Sequence, residues 1–169
     1  MRLSKEAVMK VRDVMTEPAV CCDPGTNVGS AVDLLWSNNC GMLPVVGADH
    51  RLMGIVTDRD ICIAMGTRNR LPGEITIREI ATPHVFTCQP DDEIHEALSI
   101  MAERKVRRLP VVNNDGVPQG ILSMDDIIAH GDLNRWEGCC ELSGEEIIRS
   151  LKRLYARRDA TRQVKGKAA

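Results

Sequence analysis

Apolar residues along this chain alternate between two spacings, and the alternation occurs twice. Short apolar runs at residues 19–22 and 85–88 predict strands. Turns follow at Asp23-Pro24-Gly25 and Gln89-Pro90-Asp91. Val28, Ala31, Val32 and Leu35, and then Ile94, Ala97, Leu98 and Met101, recur at helical spacing and predict amphipathic helices. After each comes a β-branched strand behind a proline, Pro44-Val45-Val46 or Pro110-Val111-Val112. Turns bearing Asp49 or Asp115 lead into strands opening at Gly54 or Gly120, and further helices begin at Thr57 or Ser123. The order is strand, helix, strand, strand, helix, twice over. A last helix starts at Ser143, where Glu146 completes a capping box. Ile147, Ile148, Leu151, Leu154 and Tyr155 give it one apolar face, which packs on the body or on a second subunit.

The doubling is a true internal repeat. A shift of 66 residues lays 11–61 on 77–127 without a gap. Thr16 meets Thr82, Cys22 meets Cys88, and Leu43-Pro44-Val45-Val46 meets Leu109-Pro110-Val111-Val112. Gly54-Ile55 meets Gly120-Ile121, Asp60-Ile61 meets Asp126-Ile127, and Thr57 faces Ser123, which keeps the hydroxyl. The expected organisation is a first domain over 8–66, a linker over 67–76, a second domain over 77–131, and an extension over 132–169 carrying the last helix and a basic tail. The fold class is α/β of the α+β kind.

The composition, 43% hydrophobic and 27% charged over 169 residues, fits a globular chain with room for two small domains. Charged residues interrupt the first twenty positions and no apolar run reaches membrane-spanning length, so a soluble, cytoplasmic chain is expected. Residues 149–169 hold eight Lys/Arg against Asp159 alone. Such a tail contacts nucleic acid or an anionic surface, or is a solvated helix with a frayed end. The seven cysteines include the adjacent pairs Cys21-Cys22 and Cys139-Cys140, a spacing unlike a zinc site. Reduced thiols in a cytosolic protein are expected, with a cysteine redox or metal sensor as the alternative.

The segments richest in chemistry are Gly54-Ile55-Val56-Thr57-Asp58-Arg59-Asp60 and Gly120-Ile121-Leu122-Ser123-Met124-Asp125-Asp126. Each places a hydroxyl, and three residues later a carboxylate, where a strand turns into a helix. Taken alone, either is accounted for by a capping box worth about 1 kcal/mol. The opening glycine also lets a ligand or another backbone approach closely. A helix N-terminus suits a phosphate, and a carboxylate there can accept from both hydroxyls of a ribose. The pair found twice, in register, argues for two related sites.

The doubled pattern Met15-Thr16, Pro44-Val45-Val46, Gly54-x-x-Thr57-x-x-Asp60 closely resembles the cystathionine-β-synthase-type (CBS) domain pair, the Bateman module. The resemblance covers about residues 11–129. It implies two domains packed as a pseudo-twofold pair, with clefts for AMP, ADP, ATP, NAD or S-adenosylmethionine, and a homodimer formed through helices. It also implies that Thr57 and Ser123 contact ribose or phosphate while Asp60 and Asp126 hold ribose hydroxyls. Thr16, Pro18, Ala19 and Val20, with Thr82, His84, Val85 and Phe86, would line the adenine pockets. Leu43-Pro44 and Leu109-Pro110 would close them. Arg59, Arg107 and Arg108 are either phosphate partners or exposed solubilising arginines.

No nucleophile motif, phosphate loop or metal triad stands out, so a regulatory ligand-binding module acting on an unknown protein in trans is expected rather than an enzyme. The alternative is a nucleic-acid-binding or structural adaptor using the basic tail. Only Tyr155 lies among the tail arginines, so base stacking is poorly served and nucleic acid is the weaker partner. The helix stripes Val28/Val32/Leu35 and Ile94/Leu98/Met101 are the expected dimer faces.

Overall fold

The computed structural model describes residues 8–130 and 143–156. The proposed tail contacts beyond residue 156, and the pair Cys139-Cys140, lie outside the described residues. Helix α1 (Val28–Ser37) is followed by the hairpin β1 (Met42–Val46) and β2 (Leu52–Thr57), then by α2 (Asp58–Thr67). The second half repeats the order with α3 (Ile94–Arg104), β3 (Arg108–Val112), β4 (Pro118–Ser123) and α4 (Met124–His130). Helix α5 (Gly144–Tyr155) ends the described chain. The two hairpins share one register, Pro44 opposite Ile55 and Pro110 opposite Ile121, and both slip at the same place, after Val45 and after Val111.

The strands predicted at 19–22 and 85–88 each shrink to a single parallel bridge, Cys22 with Val45 and Cys88 with Val111. The physical reason is the proline. Cys22 N–H donates to Pro44 O and Val46 N–H donates to Cys22 O, both at 3.0 Å. The next bond of a parallel ladder would need an N–H on Pro44, which has none. Pro110 stops the second copy in the same way.

The sequence repeat and the packing unit are offset. Val11 and Val14 enter the core of the second half beside Ile94, Leu98, Met101, Leu109 and Leu122. Ile75 and Ile77, both fully buried, enter the core of the first half beside Val28, Leu35, Leu43 and Val56. Matching hydrogen bonds hold these segments. Val11 N–H donates to Asp92 O and Ile77 N–H to Thr26 O, while Arg12 N–H donates to Pro90 O and Arg78 N–H to Pro24 O. Each leading segment therefore closes the other half, and the end of the stretch predicted as linker is core.

The stripes expected to form a dimer face are mostly spent inside the chain. Val28, Leu35, Ile94, Leu98 and Met101 are buried in the two cores, as are Ile61 and Ile127. Helix α5 lies on α3 and buries Ile147 and Leu154 there. Its start at Ser143 is the expected capping box, with Glu146 N–H donating to Ser143 Oγ. The face of α1 that corresponds to this covered face of α3 is bare. Val32 is 43% exposed where its counterpart Leu98 is 3%, and Trp36 is 86% exposed where its counterpart Ala102 is 2%. No helix among the described residues is long and apolar enough to cross a membrane.

Candidate functional site

Both hydroxyl–carboxylate pairs form. Thr57 Oγ1 donates to Asp60 Oδ2 at 2.7 Å, Thr57 N–H donates to the same oxygen at 2.9 Å, and Asp60 N–H returns to the hydroxyl at 3.2 Å. Ser123 and Asp126 repeat the three bonds at 2.6, 2.8 and 3.1 Å. The cap occupies one carboxylate oxygen. The other oxygen of Asp126 accepts from the Thr16 hydroxyl at 3.2 Å, which turns it toward the crossing segment of the other repeat. Capping and ligand contact are thus compatible roles for one carboxylate.

Backbone approach explains the glycines. A Cβ on Gly54 would stand 2.8 Å from Thr82 O, and one on Gly120 would stand 2.8 Å from Thr16 O. Through that gap Thr82 exchanges backbone bonds with Ile55, and Thr16 exchanges them with Ile121, at 2.8–3.0 Å. The crossing segments bring each repeat's leading residues to the carboxylate of the other repeat.

At the Ser123/Asp126 end these elements enclose a cavity of about 480 Å³. Of the residues the sequence singled out, Thr16, Pro18, Val20, Arg108, Ser123 and Asp126 line it. The remaining wall is Asn38, Asn39, Cys40, Gly41 and Met42 from the end of α1 and the start of β1, which the sequence did not single out, with Ile121 and Asp125, which lie in the quoted segment but carried no assigned role. Their signal was present, because residues 38–42 stand opposite 104–108 in the repeat. Gly41 has a specific use. The Arg108 guanidinium lies so close that a Cβ there would be 3.1 Å from Nη2. A shallower neighbouring groove of about 450 Å³ shares Asn39, Cys40, Gly41 and Arg108 and adds Val32, Trp36 and Asp58. Burial pushes the Cys40 thiol up, opposed by the Met42 backbone and by Arg108.

Leu43 and Leu109 do not face this cavity. Both are fully buried in the two cores, and Pro44 and Pro110 sit buried in β1 and β3 behind its wall. Ala19 is held by its N–H to Gln119 O. Thr57, Asp60 and Thr82 gather at the equivalent Ile55 end of the first half. Phe86, in register with Val20, lies under the Arg104 guanidinium at 4.8 Å from ring centroid to Cζ. Arg59, Arg107 and His84 are exposed, and Val85 is half-buried. No group of three or more His, Cys, Asp or Glu side chains among the described residues could hold a metal ion.

The family model "CBS domain" matches this chain twice, at residues 11–66 and 77–131. An uncharacterised protein, MK0525 of Methanopyrus kandleri, is 31% identical over 120 residues, and the matched region covers 69% of this chain and 57% of that protein. The chain thus spans little more than half the length of that relative. Hypoxic response protein 1 of Mycobacterium tuberculosis is 32% identical over 119 residues, covering 70% of this chain and 82% of that one. The solved CBS domain pair of protein MJ0100, in complex with 5′-methylthioadenosine and S-adenosyl-L-methionine, superposes with a TM-score of 0.67 at 26% identity, over 73% of this chain and 95% of that one. The CBS domain protein PAE2072 of Pyrobaculum aerophilum, complexed with AMP, gives a TM-score of 0.64 at 26% identity, over 70% and 90%.

Proposed function

This chain belongs to the CBS-domain family, and on that premise we propose that it is a regulatory module that binds an adenosyl nucleotide and controls a partner protein in trans, without catalysis of its own. One observation carries the reading: the cavity of about 480 Å³ in which Thr16, Pro18 and Val20 of one repeat meet Ser123 and Asp126 of the other. Pro18, Val20, Met42 and Ile121 offer an apolar wall for adenine. The Asp126 carboxylate offers an acceptor for ribose hydroxyls, and Arg108 lies beside Gly41 on the same wall. Structural relatives hold 5′-methylthioadenosine, S-adenosylmethionine and AMP, all adenosyl compounds. The second site pairs Thr57 and Asp60 with Thr82. The module works as a cytoplasmic homodimer, joined through the bare face of α1 at Val32 and Trp36.

Thermal-shift measurement against AMP, ADP, ATP, NAD and S-adenosylmethionine tests the reading. A ligand at a hundredfold excess over its Kd stabilises the folded chain by about 2.7 kcal/mol. Asp126→Ala is expected to weaken binding by about 1.5–3 kcal/mol while costing the fold about 1 kcal/mol. Flat melting curves across the panel at millimolar ligand, or binding left unchanged by both Asp60→Ala and Asp126→Ala, would overturn it.

A further inference from the structure

The backbone at the two clefts is matched closely, and the charge is not. Asn39 and Lys105, equivalent after the 66-residue shift, both take left-handed backbone, with φ of 47° and 59°. Thr16 bridges Ile121 as Thr82 bridges Ile55, and the two glycine gaps are equal. The wall built from residues 38–42 at the Ser123/Asp126 cleft therefore has its repeat counterpart in residues 104–108, of which Arg108 turns back into the Ser123/Asp126 cavity and 104–107 remain for the Thr57/Asp60 side.

At three of the four positions 38–41 the counterpart is a cation, while beside the carboxylates Asp58 is matched by the neutral Met124. Asn38 is replaced by Arg104, Asn39 by Lys105, Gly41 by Arg107 and, beside the carboxylate, Asp125 by Arg59. The lining of the Ser123/Asp126 cavity holds Arg108 as its one cation, against the carboxylates of Asp125 and Asp126. By the repeat, the counterparts on the Thr57/Asp60 side are the cations Arg59, Arg104, Lys105 and Arg107, with Asp60 as the capping carboxylate and Asp58 turned to the neighbouring groove that holds Arg108. Arg104 lies over the ring of Phe86, the counterpart of the cavity-lining Val20.

We infer that the two clefts sort nucleosides by charge. The Thr57/Asp60 cleft takes a nucleoside polyphosphate, and the Ser123/Asp126 cleft takes a nucleoside whose 5′ substituent is uncharged or cationic. The inference rests on the nucleotide-binding reading above and assigns a ligand class to each cleft. Guanidinium and ammonium groups spaced along one wall can bind successive phosphates, as forks from arginine and as a point charge from lysine. At the other cleft the same phosphates would meet two carboxylates, a repulsion that rejects them, while a sulfonium or a neutral thioether meets no such penalty. One chain can then read two metabolites of opposite charge at once.

Equilibrium titrations of the full chain with ADP and with 5′-methylthioadenosine test this, alone and in competition, at low and high salt. The chain is expected to bind one of each together. ADP affinity should fall as salt rises, and 5′-methylthioadenosine affinity should hold. Arg59→Asp and Asp125→Arg exchange exposed charges outside the capping pairs and spare the fold. Arg59→Asp is expected to weaken ADP by about tenfold or more and to leave 5′-methylthioadenosine unchanged. Asp125→Arg is expected to create a second ADP site at the expense of 5′-methylthioadenosine. Competition of the two ligands for one site, or both substitutions leaving ADP affinity and stoichiometry unchanged, overturns the sorting and leaves nucleotide binding standing. Failure of both ligands to bind overturns the nucleotide reading and the sorting with it.

Discussion

Thr16 exchanges two backbone hydrogen bonds of 2.9 Å with Ile121, a residue of the other repeat. Its hydroxyl also reaches Asp126. The carboxylate that caps α4 is therefore addressed from 110 residues away in sequence, and the cleft exists only where both repeats are present. The passage of this segment over β4 depends on the missing side chain at Gly120.

Gly120→Ala is accordingly expected to destabilise the fold by about 1–3 kcal/mol, since the new Cβ meets the Thr16 carbonyl and the Met15 sulfur with nowhere to go. Gly66, inside α2 with open space around it, is the control of opposite sign. Gly66→Ala is expected to stabilise by about 0.5–1 kcal/mol through helix propensity. Denaturant titrations of the two variants check both signs. Equal effects would show that strand packing does not need the gap.

Glu79 gives acid sensitivity to the joint between the halves. The Thr76 backbone N–H, with the Arg70 side chain next, lowers its carboxyl from an ordinary 4.5 to about 2. Arg68 adds a bond at 2.9 Å. A carboxylate with a depressed folded pKa stabilises the fold above its unfolded pKa, and that contribution is lost as pH falls. Stability is thus expected to decline between about pH 4.5 and pH 2, and Glu79→Gln should flatten the decline. Urea midpoints measured across that interval give the comparison, and parallel curves for the two proteins would remove Glu79 as the cause.

The cysteines should react in an order set by burial. Burial pushes the Cys22 and Cys88 thiols up to about 12, and neighbouring Asp23 and Asp92 add to the rise. Cys62 is exposed. Because the thiolate is the nucleophile, alkylation near neutral pH is expected at Cys62 well before Cys22 or Cys88. Peptide mass mapping against time reads the order, and early labelling of Cys22 or Cys88 would mean that the cores open readily.

The bare face of α1 predicts how the chain associates. Trp36→Glu, with Val32→Glu added, is expected to shift a dimer to monomer without loss of fold, since both side chains are outside the cores. Light scattering reads the mass against the 18.7 kDa chain. Persistence of the dimer in the double variant would move the interface elsewhere.

Much of this was legible from residues alone. Equal spacing of Thr57–Asp60 and Ser123–Asp126 located both carboxylates, and Ser143 with Glu146 located the start of α5, because caps are local chemistry. The strands at 19–22 and 85–88 were overread because an apolar run says nothing about whether its neighbour can donate, and Pro44 and Pro110 cannot. The dimer stripes were misassigned for another reason. Helical periodicity marks a face as apolar without saying what covers it, so Leu98 and Val32 look alike until α5 is placed. Asn38 to Met42 escaped notice because polar and small residues after a helix read as an ordinary turn.

The exchange of leading segments also orders events during synthesis. Residues 9–16 find their backbone partners in the second half, from Pro90 to Ile121, so they leave the ribosome with no place to dock. At about 5–20 residues per second, that wait lasts on the order of several to twenty seconds. During it the first half can close with Ile75 and Ile77, whose partners precede them in the chain, while the extreme N-terminal segment stays unsatisfied. Translation thus completes the first core early and leaves the cleft at Ser123 and Asp126, and after it the docking of α5, to follow.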